Sequence, residues 1–307
     1  MGTIAIVGSP TALGGHFGGM ERGPEALRAA GLVDRLRSMS AFEHATFVDR
    51  GDVPNDPGWA PDDHPTMKNR DRIIEYLPRA AIAVRAALGV TVGDGTPRLL
   101  VLGGDCTTHA AALAGIKRQS PDARFAIAWI DAHGDFNIPE TTPSGNVWGM
   151  PFAMLCGRGD PGLVSAVSGP TVREEDAALI GAQVLDEQEA RMLAASPLAL
   201  FGSGMLRGEA GLAALEAWAR AVGERCNGMY VAFDLDALDL STGISVAMPE
   251  PDGLSVDTAL AVLRILARTN DVVGFGPTAT MPRAGANLGR HADIVAQLTE
   301  AALGATS

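Results

Sequence analysis

Cysteine is scarce in this 307-residue chain: there are three, Cys106, Cys156 and Cys226, an odd number set far apart. That argues against a disulfide framework and fits a reducing compartment, so the sequence predicts a cytoplasmic protein. A thiol then matters only if it reacts or binds metal, and Cys156 and Cys226 read as structural. Aromatic residues make up 5%, whereas glycines number 37; aliphatic strands joined by tight turns are expected. Basic residues are outnumbered, 24 Lys+Arg against 36 Asp+Glu, for a net charge of −12. With no basic stretch, nucleic acid and anionic membrane are excluded as expected partners. No apolar run approaches the roughly 18–20 residues needed to span a bilayer. The opening Met1-Gly2-Thr3-Ile4-Ala5-Ile6-Val7-Gly8 has no basic segment and reads as a first strand, not a signal peptide.

What is abundant is apolar: hydrophobic residues reach 47% against 20% charged, enough for a large core. Short β-rich runs are expected at Thr3–Gly8, Ala45–Asp49, Arg98–Leu102, Phe125–Ile130, Ala177–Gly181, Met229–Phe233 and Asp271–Phe275. Helical patterns alternate with them at about Gly23–Ser38, Asp71–Leu88, Thr107–Lys117, Asp186–Ala194, Gly211–Val222, Val256–Ala267 and Leu288–Ala302. Continuous apolar runs such as Leu99-Leu100-Val101-Leu102 suit parallel strands covered on both faces. The alternation gives an open three-layer α/β fold, whose ligands gather beyond the carboxyl ends of the strands. No repeat or linker interrupts residues 1–307, so one domain is expected. Gly51–Thr66 and Phe136–Gly149 read as loops.

Three strand ends carry the chemistry: Gly103-Gly104-Asp105-Cys106, Asp131-Ala132-His133-Gly134-Asp135 and Asp234-Leu235-Asp236-Ala237-Leu238-Asp239. Residues two apart share a side of an extended chain, so five N and O donors from neighbouring strands can converge. That many carboxylates repel unless divalent cations neutralise them. Mixed carboxylate and imidazole ligation suits Mn²⁺, Fe²⁺, Co²⁺ or Zn²⁺, and four carboxylates can bridge two ions. Taken singly, each acid reads more plainly as a helix cap or turn residue; taken together, they do not.

In this order the three motifs resemble the ureohydrolase family of arginases, agmatinases and formimidoylglutamases. Glu21–Leu32 is similar to the arginase amino-terminal segment, and Thr141-Thr142-Pro143-Ser144-Gly145-Asn146 to its substrate loop. The resemblance implies a three-layer α/β/α sandwich with a mostly parallel sheet of about eight strands. It also implies two manganese ions, and hydrolysis of a guanidine or amidine C–N bond by a metal-bridging hydroxide. Carried over by position, Asp131 and Asp234 bridge the ions, His133 and Asp236 complete one, and Asp135 belongs to the other. Its remaining ligand, usually histidine, is here Cys106. A thiolate is softer than imidazole and leaves Zn²⁺, Fe²⁺ or Co²⁺ open beside Mn²⁺. A weak or empty second site stays open too, as does His109 reaching in, although His109 reads more plainly as an ordinary helix residue. The chain also resembles a cysteine-bearing branch of the family that includes the hydroxyarginine hydrolase of D-cycloserine biosynthesis.

The resemblance further places Asn137, Ser144 and Asn146 at a substrate α-carboxylate, and Asp186 and Glu189 near its α-amino group. Acids here also suit a helix start. The reactive end differs. Trp148 stands where arginases place a proton-shuttling histidine, and indole cannot do acid–base work near neutrality. Ala279 stands where they place a guanidinium-binding glutamate, with Thr278 and Thr280 left to offer neutral hydrogen bonds. Asp239 is followed by Leu240 in place of a proline, which affects a turn. Gly14–Gly19 resembles a phosphate loop but lacks the following Lys-Ser/Thr, so a loop near the site is expected. His44, His64 and His291 read as surface or loop residues.

The expected activity is therefore metal-dependent hydrolysis of a C–N bond in an amino-acid-like small molecule, N-hydroxyarginine before plain arginine. His133 and Asp135 are the catalytic candidates; with no histidine at 148, proton delivery falls to solvent or to an acidic ligand such as Asp135. The other reading is an impaired homologue acting as a binding or regulatory subunit. A homo-oligomer, trimer or hexamer, is expected from the family.

Overall fold

Eight strands form one sheet: β1 (Thr3–Ser9), β2 (Thr46–Asp52), β3 (Arg98–Gly103), β4 (Phe125–Ile130), β5 (Ala177–Ile180), β6 (Ala199–Phe201), β7 (Gly228–Asp234) and β8 (Val272–Thr278). Their order is β2-β1-β3-β8-β7-β4-β5-β6, and every pairing is parallel. The computed structural model describes residues 2–54, 59–89 and 97–304. Part of the expected 51–66 loop, residues 55–58, lies outside the described residues.

Eleven α-helices accompany the strands among the described residues: α1 (Gly23–Ala29), α2 (Leu32–Ser38), α3 (Arg70–Leu88), α4 (Thr107–Gln119), α5 (Pro151–Leu155), α6 (Pro161–Ala166), α7 (Glu187–Ala194), α8 (Ser203–Leu206), α9 (Glu209–Gly223), α10 (Val256–Thr269) and α11 (Leu288–Leu303). They cover both faces of the sheet, which gives the α/β/α sandwich. The period of two along each strand divides the core. Leu100 and Leu102 of β3 join the layer of Leu27, Leu36, Leu215, Leu263 and Val295. Leu99 and Val101 join the opposite layer, with Tyr76, Leu77, Leu113, Phe152 and Leu163. Every residue of β4 is buried, as a central strand covered twice requires.

The differences from expectation have local causes. β6 was not foreseen: it has three residues at a sheet edge, too few to show a period. The helices α5, α6 and α8 are likewise too short for periodicity to reveal. His291, expected on the surface, is 1% exposed on α11, where its Nε2 meets Thr280 Oγ1 at 3.0 Å. Apolar neighbours along α11 bury it, and the threonine satisfies the ring. His44 and His64 are exposed as expected. No helix among the described residues is long and apolar enough to cross a membrane.

Candidate active site

The four central strands, β3-β8-β7-β4, bring together the ends that carry the chemistry. Ile130 pairs with Phe233 and Asp234 with Thr278, so Asp131, Asp234 and the turn at Ala279 lie side by side. Cys106 enters from β3 at the start of α4. Ligating atoms of Cys106, Asp131 and Asp135 lie within 4.8 Å of one another, as do those of Asp131, His133 and Asp236. Asp131 belongs to both groups; Asp234, expected to bridge as well, belongs to neither, although its Oδ2 lies 2.9 Å from Cys106 Sγ.

Convergence arises from turns, not from the extended alternation that the spacing suggested. Beyond Ile130 the chain leaves the strand, and Asp135 has φ +47°, the left-handed region. Asp236 lies in a 3₁₀ turn, Leu235–Ala237. Asp131 Oδ1 accepts the His133 N–H at 2.8 Å, and Asp234 Oδ1 accepts the Asp236 N–H at 2.8 Å. Asp234 thus ties its turn with one oxygen and turns the other toward Cys106, whereas Asp131 ties its turn with the oxygen that also faces His133 and accepts the Trp129 indole N–H with the other. The turn role and the cluster role fall on the same residues.

The donor set fits cations. Asp135 Oδ2 is buried with no hydrogen-bond partner among the described residues. Burial, then the Asp131 carboxylate, holds Asp135 well above the usual carboxylate range. Asp234 is raised by burial and by Asp236, and Asp236 is pushed up to about 6 by burial and Asp131. Burial, then Asp135, Asp234 and Asp131, raises the Cys106 thiol, whose Sγ donates to Asp234 Oδ2 at 2.9 Å. Burial lowers His133, but Asp236 and Asp131, at 3.3 and 3.4 Å from Nδ1, outweigh it and hold the imidazole raised. A cluster that retains protons to relieve repulsion is one that divalent ions would stabilise in their place.

Above the cluster lies a cavity of about 320 Å³, lined by every residue expected to contact substrate. Asp186 and Glu189 form a capping box on α7, so the helix-start reading holds. They also face the cavity: Asp186 Oδ2 accepts from Asn137 Nδ2 at 3.0 Å, and buried Glu189 accepts the Phe136 N–H at 2.9 Å. Burial pushes Glu189 up to about 7. The other wall is apolar, with Trp148 packed beside Met20, Ala247, Met248 and Ala279. Neither threonine hydroxyl reaches the cavity. Thr278 Oγ1 turns back toward His109, and Thr280 Oγ1 pairs with His291, because flanking residues point away where Ala279 points in. His109 is fully buried behind the cluster and takes no place in either ligand group.

The glycine loop seats the indole. Trp148 N–H donates to Gly14 O at 3.0 Å, Asp105 Oδ2 accepts the Gly14 N–H at 2.7 Å, and a Cβ on Gly15 would overlap the Trp148 ring. Gly15→Ala is therefore expected to displace the indole. KM should rise several-fold with metal content unchanged, checked by steady-state kinetics alongside elemental analysis.

Comparison with known proteins shows the family. The arginase family model matches residues 2–304. The chain belongs to the arginase family. It is 33% identical to the arginase of Bacillus caldovelox over 275 residues, 87% of each chain. The arginase structure from Bacillus subtilis superposes with a TM-score of 0.85 at 27% identity, covering 99% of both chains. Formimidoylglutamase from the same species shares the fold, with a TM-score of 0.74 at 17% identity over 98% of this chain and 87% of that one. Membership makes the protein a metallohydrolase of non-peptide C–N bonds.

Two cavity residues of this arginase-family chain, His16 and Glu250, and one residue behind the substrate loop, Lys68, carry no signal in the sequence. His16 faces the cavity with its ring 5.4 Å from Trp148 and its Nδ1 2.9 Å from Asn146 Nδ2. Its loop was expected near the site, but its own role was not. Lys68 Nζ donates to Ser144 O at 2.8 Å and to Asn146 Oδ1 at 3.1 Å, setting a cation behind the substrate loop. Glu250 lines the cavity, with Oε1 3.6 Å from His133 Nε2. Neither Lys68 nor Glu250 sits in a pattern that a single sequence could flag.

Proposed function

We propose that the protein hydrolyses a C–N bond in an amino-acid-like substrate whose reactive group is less basic than a guanidine, N-hydroxyarginine before arginine. One observation carries this reading. The cavity joins the acid-rich cluster to a polar, charged end, while the wall around position 279 is made of Ala279, Met248 and Trp148; Glu250, the acid at the other edge, lies 3.6 Å from His133 Nε2. A guanidinium there would lose a charge-assisted partner, a loss of roughly 2–5 kcal/mol. A hydroxyguanidine or amide loses less.

Cys106, Asp131, His133, Asp135, Asp234 and Asp236 would hold two divalent ions, Mn²⁺ from the family or Zn²⁺, Fe²⁺ or Co²⁺ as the thiolate allows. When bound, such ions supply Lewis acidity and an activated water. The chain's own residues do the rest. Asn137, Ser144 and Asn146 receive the substrate carboxylate, with the charge of Lys68 behind them. Asp186 and Glu189 take the ammonium. Trp148 covers the reactive carbon and excludes water. With no histidine at position 148, solvent or an acidic ligand such as Asp135 would accept a proton and return it to the leaving nitrogen; that Asp135 Oδ2 is buried with no hydrogen-bond partner among the described residues supports this role. Assembly as a trimer or hexamer belongs to the same reading.

Elemental analysis after purification with Mn²⁺, Zn²⁺ or Co²⁺ is expected to give about two ions per chain. Chelator should abolish turnover of N-hydroxyarginine, and arginine should be the poorer substrate by kcat/KM. A fully loaded protein that turns over no guanidino, amidino or amide compound would instead be a binding subunit.

A further inference from the structure

His109 lies one helical turn past Cys106 and is absent from both ligand groups, yet it is tied to one of the expected ligands. Its Nδ1 lies 3.1 Å from Tyr230 Oη, and its Nε2 3.1 Å from Thr278 Oγ1. Thr278 Oγ1 in turn lies 3.5 Å from Asp234 Oδ2 and 3.4 Å from the Phe233 carbonyl. His109 and Thr278 are fully buried, as is Tyr230, and the His109 ring stands edge-on to Trp129 at 5.0 Å. Two glycines make the space. A Cβ on Gly276 would strike Tyr230 Oη and come within 3.2 Å of His109 Nδ1; a Cβ on Gly103 would strike the Thr278 methyl.

We infer that His109 is a positioning residue, which fixes the Asp234 carboxylate through the Thr278 hydroxyl and thereby sets the affinity of the ion beside Cys106. The inference rests on the reading of Asp234 and Cys106 as metal ligands. Chemistry at the far end gives the chain of bonds its direction, because a backbone carbonyl and a carboxylate holding a cation only accept. Thr278 O–H donates toward Asp234 Oδ2 at 3.5 Å and the Phe233 carbonyl at 3.4 Å, both acceptors, so its oxygen accepts from His109 Nε2–H, and His109 Nδ1 accepts from Tyr230 O–H. Every group uses its own donor once. Burial lowers the His109 pKa to about 3, which keeps the ring neutral and this tautomer available at any working pH. The oxygen that receives the threonine is the same Asp234 Oδ2 that faces Cys106 Sγ at 2.9 Å. The relay therefore acts on the cysteine side of the cluster, where a soft ligand has replaced a directional imidazole.

The test is a Co²⁺ titration of the chelator-stripped full chain, read by the thiolate-to-cobalt charge-transfer band that reports the ion beside Cys106. Thr278→Val keeps the shape and removes the hydroxyl; it is expected to weaken cobalt binding about 10–100-fold, and Thr278→Ser to restore it. His109→Leu should weaken binding similarly, and if that variant fails to fold the threonine pair still decides. A purely space-filling role would lower thermal stability in these variants while leaving the affinity at low temperature unchanged. Wild-type affinity in Thr278→Val overturns the relay alone. A band absent from the wild type, or retained in Cys106→Ser or Asp234→Asn, overturns the ligand reading and the relay with it.

Discussion

Replacing Asp131 with alanine is expected to reduce turnover of the preferred substrate by about a thousand-fold or more. Metal-ion stabilisation of a transition state is worth several kcal/mol, and each 1.4 kcal/mol is about tenfold in rate. Asp131 is chosen because geometry singles it out: it is common to both ligand groups, whereas every other member belongs to one. Loss of its carboxylate should empty both positions, so elemental analysis should fall from about two ions per chain toward none. Asp131 also anchors its surroundings, accepting Trp129 Nε1–H at 3.1 Å and the His133 N–H at 2.8 Å. Asp131→Asn retains much of that hydrogen bonding and separates ligation from folding. If the asparagine variant kept its metal and its kcat/KM, the cluster would not be the catalytic centre.

The fold was legible because the strands that matter are long apolar runs. Leu99–Leu102 and Phe125–Ile130 are buried on both faces and read as central parallel strands without further help. The site was legible to the extent that its residues sit immediately past those strands. Asp131 follows β4 directly, Asp234 ends β7 and Cys106 comes three residues past β3, so the order of these strands brings them together. The detailed geometry was not legible. Convergence of Asp135 and Asp236 depends on a left-handed residue and a 3₁₀ turn, which residue spacing cannot distinguish from extension. Glu250 and Lys68 come from long loops and reach the cavity or its rim through tertiary contacts. His109 was weighed as a ligand because of its proximity in sequence. One helical turn instead carries it behind the sheet ends, where Tyr230 and Thr278 claim both ring nitrogens.

Restoring an acid at position 279 is expected to reverse the substrate preference. Ala279 is 2% exposed, lines the cavity, and has φ +63°. A left-handed backbone costs any L-residue with a Cβ about 1–2 kcal/mol. Alanine already bears that cost, so Ala279→Glu adds little backbone strain. It introduces a carboxylate beside Met20, Met248 and Trp148, with no cation among those neighbours. In the free enzyme that buried charge lacks a partner and should lower Tm. Bound arginine supplies the partner, so Tm should recover with arginine and recover less with N-hydroxyarginine. The same pairing should raise kcat/KM for arginine by about 2–5 kcal/mol of transition-state stabilisation less the desolvation of the acid, roughly 10- to 1,000-fold. Steady-state kinetics on both substrates checks the outcome. If arginine turnover stayed flat while N-hydroxyarginine turnover fell, Ala279 would not face the guanidine end, and the substrate would lie in the cavity the other way round.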